Sequence, residues 1–221
     1  MTDPCSYMQD KVVVVTGAGG RLGRRLVARF TEVGAHVVAI GNEGTEDIIL
    51  DLASEDEVVD AFERIQREHK GMDVLVHAVG TWNEWPLLDT KLEDWERMMQ
   101  INLTTSFLCF REAARHMVKD GGTIIGICAR SGLEAAVARG GAYAASKAGL
   151  LRLVEAVAAE HPTLNTYALA PSVILYKDTS GPGVYADDLV QLAIQLCSGP
   201  AGALRGTALQ AYGMHSSRSN D

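Results

Sequence analysis

Residues 12–23 read Val12-Val13-Val14-Val15-Thr16-Gly17-Ala18-Gly19-Gly20-Arg21-Leu22-Gly23, and their reading decides the fold. A continuous β-branched run is what a strand covered on both faces requires. The turn after it carries Gly17, Gly20 and Gly23 in a G-x-x-G-x-x-G spacing. A turn this tight favours residues without a Cβ, so that backbone N–H groups and the start of the next helix can face a pyrophosphate. From Arg21 to Val33 the apolar residues Leu22, Leu26, Val27 and Phe30 share one helical face. Strand, glycine turn and helix in this order predict a dinucleotide-binding unit.

The same alternation continues outward. His36 to Ile40, Asp47 to Leu50, Met72 to His77, Thr123 to Cys128, Leu164 to Leu169 and Thr207 to Ala211 read as further strands. Helical periodicity marks residues from about Glu55 to Glu68, Leu92 to Lys119, Ala142 to Glu160 and Asp187 to Leu196. Neither a repeat nor a linker interrupts the chain. The expectation is one domain over residues 1–221, an α/β Rossmann-type doubly wound parallel sheet of about seven strands with helices on both faces.

Composition narrows the partners. With 28 acidic and 20 basic residues the formal charge is −8, which argues against nucleic acid or an anionic membrane. The residues up to Lys11 lack the apolar core of a signal peptide, and no apolar stretch approaches a membrane span. The expected location is cytoplasmic. Cys5, Cys109, Cys128 and Cys197 form no C-x-x-C pair, and no His/Cys/Asp cluster has ligand spacing, so no metal is expected.

The choice of nucleotide turns on the end of the second strand. An acid there bonds the adenosine ribose and selects NAD. Here the residues are Gly41, Asn42 and Glu43. Glu43 lies close to the spacing of such an acid. Alternatively, Arg21 or Arg24 faces a 2′-phosphate across the gap left by Gly41. The balance tips slightly to NADP, with NAD left open.

Further along stands Tyr143-Ala144-Ala145-Ser146-Lys147. Residues four apart on a helix lie on one side, so a lysine ammonium meets the phenol. A nearby cation favours phenolate, and the expectation is a lowered Tyr143 pKa suited to acid/base work. With the glycine turn, Asp51-Leu52 after the third strand and Asn102 in the long helix, this pattern resembles the short-chain dehydrogenase/reductase family from about Lys11 to Gly213.

The resemblance implies NAD(P)-dependent hydride transfer. Tyr143 would exchange a proton with the substrate oxygen, Lys147 would tune it and bond the nicotinamide ribose, and Asn102 would support a water relay. It also implies a nucleotide site built from Gly17, Gly20, Arg21, Leu22, Gly23, Gly41, Asn42, Glu43, Asp51, Leu52, Ala78, Val79, Gly80, Pro171 and Val173, together with Tyr143 and Lys147. A homodimer or homotetramer formed through the two long helices, and a small-molecule substrate, follow from the same likeness.

The chain departs from the family pattern in several places. Ala129 stands where the family has a serine that orients the substrate oxygen, and Ser131, two residues on, is the candidate replacement. His77-Ala78-Val79-Gly80 stands for the usual N-N-A-G, and Pro171-Ser172 for P-G. With the Val79-Gly80-Thr81-Trp82 loop and a short connection between the second and third strands, this resembles in part the dihydropteridine reductases, which reduce a quinonoid pterin without a serine. Trp82 and Trp85 suit an aromatic wall over a flat ring, with packing beneath the loop as the competing reading. The segment from Pro171 to Val184 is a short lid, with Tyr176 a candidate substrate contact. His77 is expected either near the adenine side of the nucleotide or as a satisfied strand-end polar group.

Two functions are set against each other. The first is an oxidoreductase acting on a small carbonyl, alcohol or quinonoid pterin-like compound. The second is a nucleotide-binding sensor or assembly subunit with little catalysis, motivated by the missing serine and the short lid.

Overall fold

The computed structural model describes residues 7–42, 44, 47–197 and 199–213. In chain order the elements begin with β1 (Val12–Thr16), α1 (Arg21–Glu32), β2 (His36–Gly41), β3 (Ile48–Ile49), α2 (Glu55–His69) and β4 (Val74–His77). Then come α3 (Leu92–Met99), a π-helical turn (Gln100–Thr104), α4 (Thr105–Met117), β5 (Gly122–Ile127), α5 (Arg130–Leu133) and α6 (Gly141–Glu160). The chain continues with β6 (Leu164–Pro171), β7 (Ile174–Leu175), β8 (Val184–Tyr185), α7 (Ala186–Leu196) and β9 (Thr207–Ala211).

Seven strands form one parallel sheet ordered β3-β2-β1-β4-β5-β6-β9. The valine run of β1 shows why both faces must be covered. Val12 and Val14 point into a core shared with Val58, Phe62 and Ile65 of α2 and Phe110 of α4. Val13 and Val15 point into the opposite one, with Leu26 and Phe30 of α1 and Leu189 and Ile194 of α7. Successive residues of a strand face opposite sides, so an unbroken apolar run serves two cores at once. The expected doubly wound Rossmann-type sheet is the observed one.

Three local features differ from the sequence reading. The helix expected over 92–119 is interrupted by the π turn at Gln100–Thr104. Such a turn adds a residue without breaking the helix, which periodicity cannot reveal, and it tends to mark functional sites. The region after Pro171 also holds a two-stranded parallel ladder pairing β7 with β8, each strand too short to carry a pattern. The single helical turn of α5 is likewise too short to carry a pattern. Among the described residues no helix is long and apolar enough to cross a membrane, and no group of three His, Cys, Asp or Glu side chains could hold a metal.

Chain order reverses between β1 and β4, whose C-terminal ends therefore flank a crevice, the place where open α/β sheets bind ligands.

Candidate active site

A cleft of about 1050 Å3 opens over that reversal point. Its floor is the glycine turn. Gly17 takes a φ of +72°, and a Cβ there would meet the Ala78 carbonyl and the Val79 nitrogen at 3.0 Å. A Cβ on Gly23 would lie 2.1 Å from the Gly17 carbonyl oxygen, so this third glycine lets α1 seat directly on the turn. No side chain caps α1 at Gly20. Its first-turn N–H groups are left for solvent or an anion.

Around this floor stand Gly20, Gly41, Asn42, Asp51, Leu52, Ala78, Val79 and Gly80, all expected from the sequence. Arg24, Gln100, Ile101 and Thr105 also line the cleft. Arg24 is one of the two arginines that the sequence offers for a 2′-phosphate. The other three lie on the π turn and its exit, which the sequence reading treated as plain helix. Glu43 lies outside the described residues. The Asp51 carboxylate accepts from the Ala53 N–H at 2.9 Å and so shapes the entry to α2.

A second cavity of about 210 Å3 shares the wall formed by Ala78, Val79 and Gly80. It is lined by Tyr143, Lys147, Leu22, Thr81, Trp82, Cys128, Ala129 and Pro171, among others. The sheet supplies its back through the ends of β5 and β6, and α6 supplies Tyr143 and Lys147 from its first two turns. Lys147 is 3% exposed, and its Nζ donates to the Ile127 carbonyl at 2.9 Å. The Cys128 thiol donates to the Lys147 carbonyl at 3.2 Å, tying α6 to the end of β5.

Asn102 is fully buried on the π turn. Its Oδ1 accepts from the Thr81 N–H at 2.7 Å, and its Nδ2 donates to the Thr81 carbonyl and to Ser146 Oγ, each at 3.0 Å. The Ser146 hydroxyl in turn donates to the Tyr143 carbonyl at 2.7 Å. One amide thus joins the loop after β4 to the second turn of α6.

Electrostatics departs from the simplest expectation. Burial raises the Tyr143 phenol to about 12, with Cys128 a second cause, and Lys147 does not lower it. Burial also lowers the Lys147 ammonium to about 8, partly offset by Cys128. Desolvation disfavours both charged forms, and it outweighs the attraction expected from sequence alone. His77 is likewise held neutral, near 3, by burial first and by Lys147 second. It is a satisfied group at the end of β4 and does not line the cleft.

Several expected residues lie elsewhere. Ser131 sits half-buried in α5 and lines neither cavity, whereas Ala129 lines the smaller one. Val173 is 58% exposed, and its carbonyl accepts from the Val184 N–H at 2.9 Å, so it belongs to the base of the lid. Trp85 is half-buried and donates its backbone N–H to the Arg139 carbonyl at 2.9 Å, leaving Trp82 as the cavity's aromatic wall. Arg21 turns away from the cleft to pair with Asp178, and its guanidinium lies 3.9 Å from the centre of the Tyr176 ring. That contact commits Tyr176 to the lid's attachment, outside the smaller cavity.

A dinucleotide fits these residues: glycines with no room for a Cβ, uncapped helix N–H groups, and a cleft that shares Ala78, Val79 and Gly80 with the cavity of Tyr143 and Lys147. Residues 11–179 match the family described as short chain dehydrogenase. A short-chain dehydrogenase/reductase of Armillaria gallica is 31% identical over 191 residues, covering 75% of this chain and 72% of that protein. A 3-oxoacyl-(acyl-carrier-protein) reductase of Aquifex aeolicus is 29% identical over 204 residues, covering 83% and 81%. The solved ligand-free aldohexose dehydrogenase of Thermoplasma acidophilum superposes with a TM-score of 0.84 at 23% identity, covering 93% of each chain. With a match that runs through β1, the glycine turn and the Tyr143/Lys147 helix, this chain belongs to the short-chain dehydrogenase/reductase family of NAD(P)-dependent oxidoreductases.

Proposed function

We propose that the protein transfers hydride between a nicotinamide nucleotide and a small carbonyl or alcohol substrate, with Tyr143 as the group that gives or takes the proton. The observation that carries this reading is the shared wall: Tyr143 and Lys147 line a small cavity that meets the glycine-turn cleft at Ala78, Val79 and Gly80. A nucleotide bound along the cleft supplies or accepts the hydride. The chain's own residues do the rest.

In the reducing direction, the phenol of Tyr143 is protonated at neutral pH, the state a proton donor needs. The Lys147 ammonium lines the same cavity. One of that ammonium's three N–H groups is spent on Ile127, and the other two remain for ligand oxygens. Ala129 brings no hydroxyl, and the Ser172 hydroxyl donates to the Tyr212 carbonyl at 2.9 Å. Of the hydroxyls lining the cavity, those of Tyr143 and Thr81 are left for the substrate oxygen. Asn102, with its amide spent on Thr81 and Ser146, acts by holding the cavity's shape.

The nucleotide favoured is NADP. Arg24 lines the cleft beside Gly41 and Asn42 and makes no ion pair among the described residues, whereas Arg21 is engaged by the lid. A homodimer or homotetramer is supported by the exposure of Leu92, Trp95 and Phe107 along α3 and α4; sedimentation would show a monomer if this is wrong. The decisive experiment uses the Tyr143→Phe variant with carbonyls and a quinonoid pterin as oxidants of NADPH or NADH. Turnover should fall by about 10³-fold while nucleotide binding persists. Full activity in that variant would overturn the assignment, and nucleotide binding without turnover in the wild-type protein would favour the sensor reading.

A further inference from the structure

His77 lies at the centre of the molecule, fully buried, with both ring nitrogens engaged. Nδ1 is 2.7 Å from Thr16 Oγ1, and Nε2 is 3.3 Å from Thr105 Oγ1. The Thr105 hydroxyl donates to the Ile101 carbonyl at 2.6 Å, so its single proton is spent and it can only accept from the ring. That assigns the tautomer: Nε2 carries the proton, and Nδ1 accepts from the Thr16 hydroxyl. The imidazole is thus a directed link from the last residue of β1, through the end of β4, to the helix that bears Asn102.

These three elements are the walls of the nucleotide cleft. Thr16 immediately precedes Gly17, and the Ala78 N–H donates to the Thr16 carbonyl at 3.0 Å. Thr105 and Ile101 also line the cleft. We propose that His77 is a positioning residue for the nucleotide: its paired hydrogen bonds to Thr16 and Thr105 set the distance between the glycine turn and the π turn. The inference rests on reading the cleft as a dinucleotide site. Close-packed interiors move by discrete repacking, so losing the link shifts a wall and with it the fit of a rigid ligand.

The test separates a positioning role from simple core packing. His77→Phe removes both hydrogen bonds and keeps a planar ring. Thr105→Val removes one hydroxyl at constant shape, and His77→Gln retains a donor and an acceptor. Phe110→Leu is the packing control, because the Phe110 ring meets the His77 ring edge to face at 5.8 Å and makes neither of its hydrogen bonds. Dissociation constants for NADPH and NADH, KM for the nucleotide, kcat and Tm are measured for each.

The expected result is a rise of about tenfold in dissociation constant and nucleotide KM for His77→Phe and Thr105→Val, with kcat of His77→Phe within about twofold. His77→Gln should recover part of that loss, and Phe110→Leu should lower Tm without moving the nucleotide constants. The proposal is overturned if His77→Phe and Thr105→Val lower Tm and leave nucleotide affinity unchanged, or if Phe110→Leu weakens affinity as much as they do. Failure of the wild-type protein to bind either nucleotide would overturn the functional reading, and this inference with it.

Discussion

Asn102 grips Thr81 by both backbone polar atoms, accepting from its N–H at 2.7 Å and donating to its carbonyl at 3.0 Å. Such pairing mimics a strand contact and anchors an otherwise irregular loop at the mouth of the cavity. Asn102→Ala would strip both partners at a buried position. The expected cost is about 1–3 kcal/mol of stability, with a fall in kcat/KM of about 10²-fold as the Gly80–Thr81 wall shifts. Thermal unfolding and steady-state kinetics check this, and unchanged kcat/KM would show the loop to be held by other means.

Gly80 is confined by the site itself. A Cβ at this position would lie 3.0 Å from Lys147 Nζ and 3.3 Å from Asn102 Oδ1. Gly80→Ala should therefore push the ammonium away from its place with little effect on the distant core. The expectation is a loss of at least about tenfold in kcat and a change in Tm of only a few degrees. Wild-type kcat would mean that the lysine stem absorbs the methyl group.

The order of elements and most of the cleft could be read from residue types, because each carries its own physical signature. The valine run of β1 announces burial on two faces, and Gly17, Gly20 and Gly23 announce a turn without room for side chains. Tyr143 and Lys147 sit four apart, which is enough to place them on one side of a helix. What escaped the sequence depends on side-chain direction or on added residues without a pattern. The π turn that aims Asn102 inward looks like ordinary helix in any periodicity. Arg21 and Arg24 are near neighbours of one type, and only the lid's Asp178 and Tyr176 decide which of them leaves the cleft. The raised Tyr143 pKa was invisible for a related reason: charge proximity can be guessed from spacing, whereas desolvation needs the packed structure.

Lys147 illustrates a site residue that burdens the fold. Its folded pKa, about 8, lies below the ordinary 10.5 because burial opposes the charge. Between those two values the unfolded chain binds more protons, so stability from this group is present above about 10.5 and is lost as pH falls toward 8. At neutral pH the full penalty applies, on the order of 3 kcal/mol. Lys147→Met should remove it, less about 1 kcal/mol for the Ile127 carbonyl left without its donor. The expected variant melts higher than wild type at pH 7 and turns over at least about 10²-fold more slowly. A lower Tm would mean that the ammonium makes a net favourable contribution to the fold.

His77 gives the opposite end of the pH scale. Its folded pKa of about 3 lies below the ordinary 6.5, through burial and then the nearby Lys147 charge. The stability it contributes is complete above about 6.5 and is lost as pH falls from there toward 3. The slope approaches about 1.4 kcal/mol per pH unit within that window. Denaturant unfolding of wild type and His77→Gln from pH 7 to pH 4 should show a shallower decline in the variant, which has no imidazole to protonate. Parallel declines would assign the acid sensitivity to carboxylates instead.

Arg24 offers the sharpest test of nucleotide choice, because its neighbour provides a control. Both arginines stand on the first turns of α1, yet Arg24 lines the cleft beside Gly41 and Asn42 while Arg21 pairs with Asp178. A guanidinium facing a 2′-phosphate makes a charge-assisted bond that NADH cannot offer. Because Arg24 is solvent-exposed, screening keeps that bond modest, and Arg24→Ala should weaken NADPH binding by about tenfold. NADH affinity should stay within about twofold. The NADPH affinity of wild type should also fall with added salt more steeply than that of the variant. Arg21→Ala, by contrast, should affect both nucleotides alike if it acts at all, since it alters the lid and not the ribose end of the cleft. Equal losses for NADPH and NADH in Arg24→Ala would remove the 2′-phosphate contact, and with it the reason for favouring NADP.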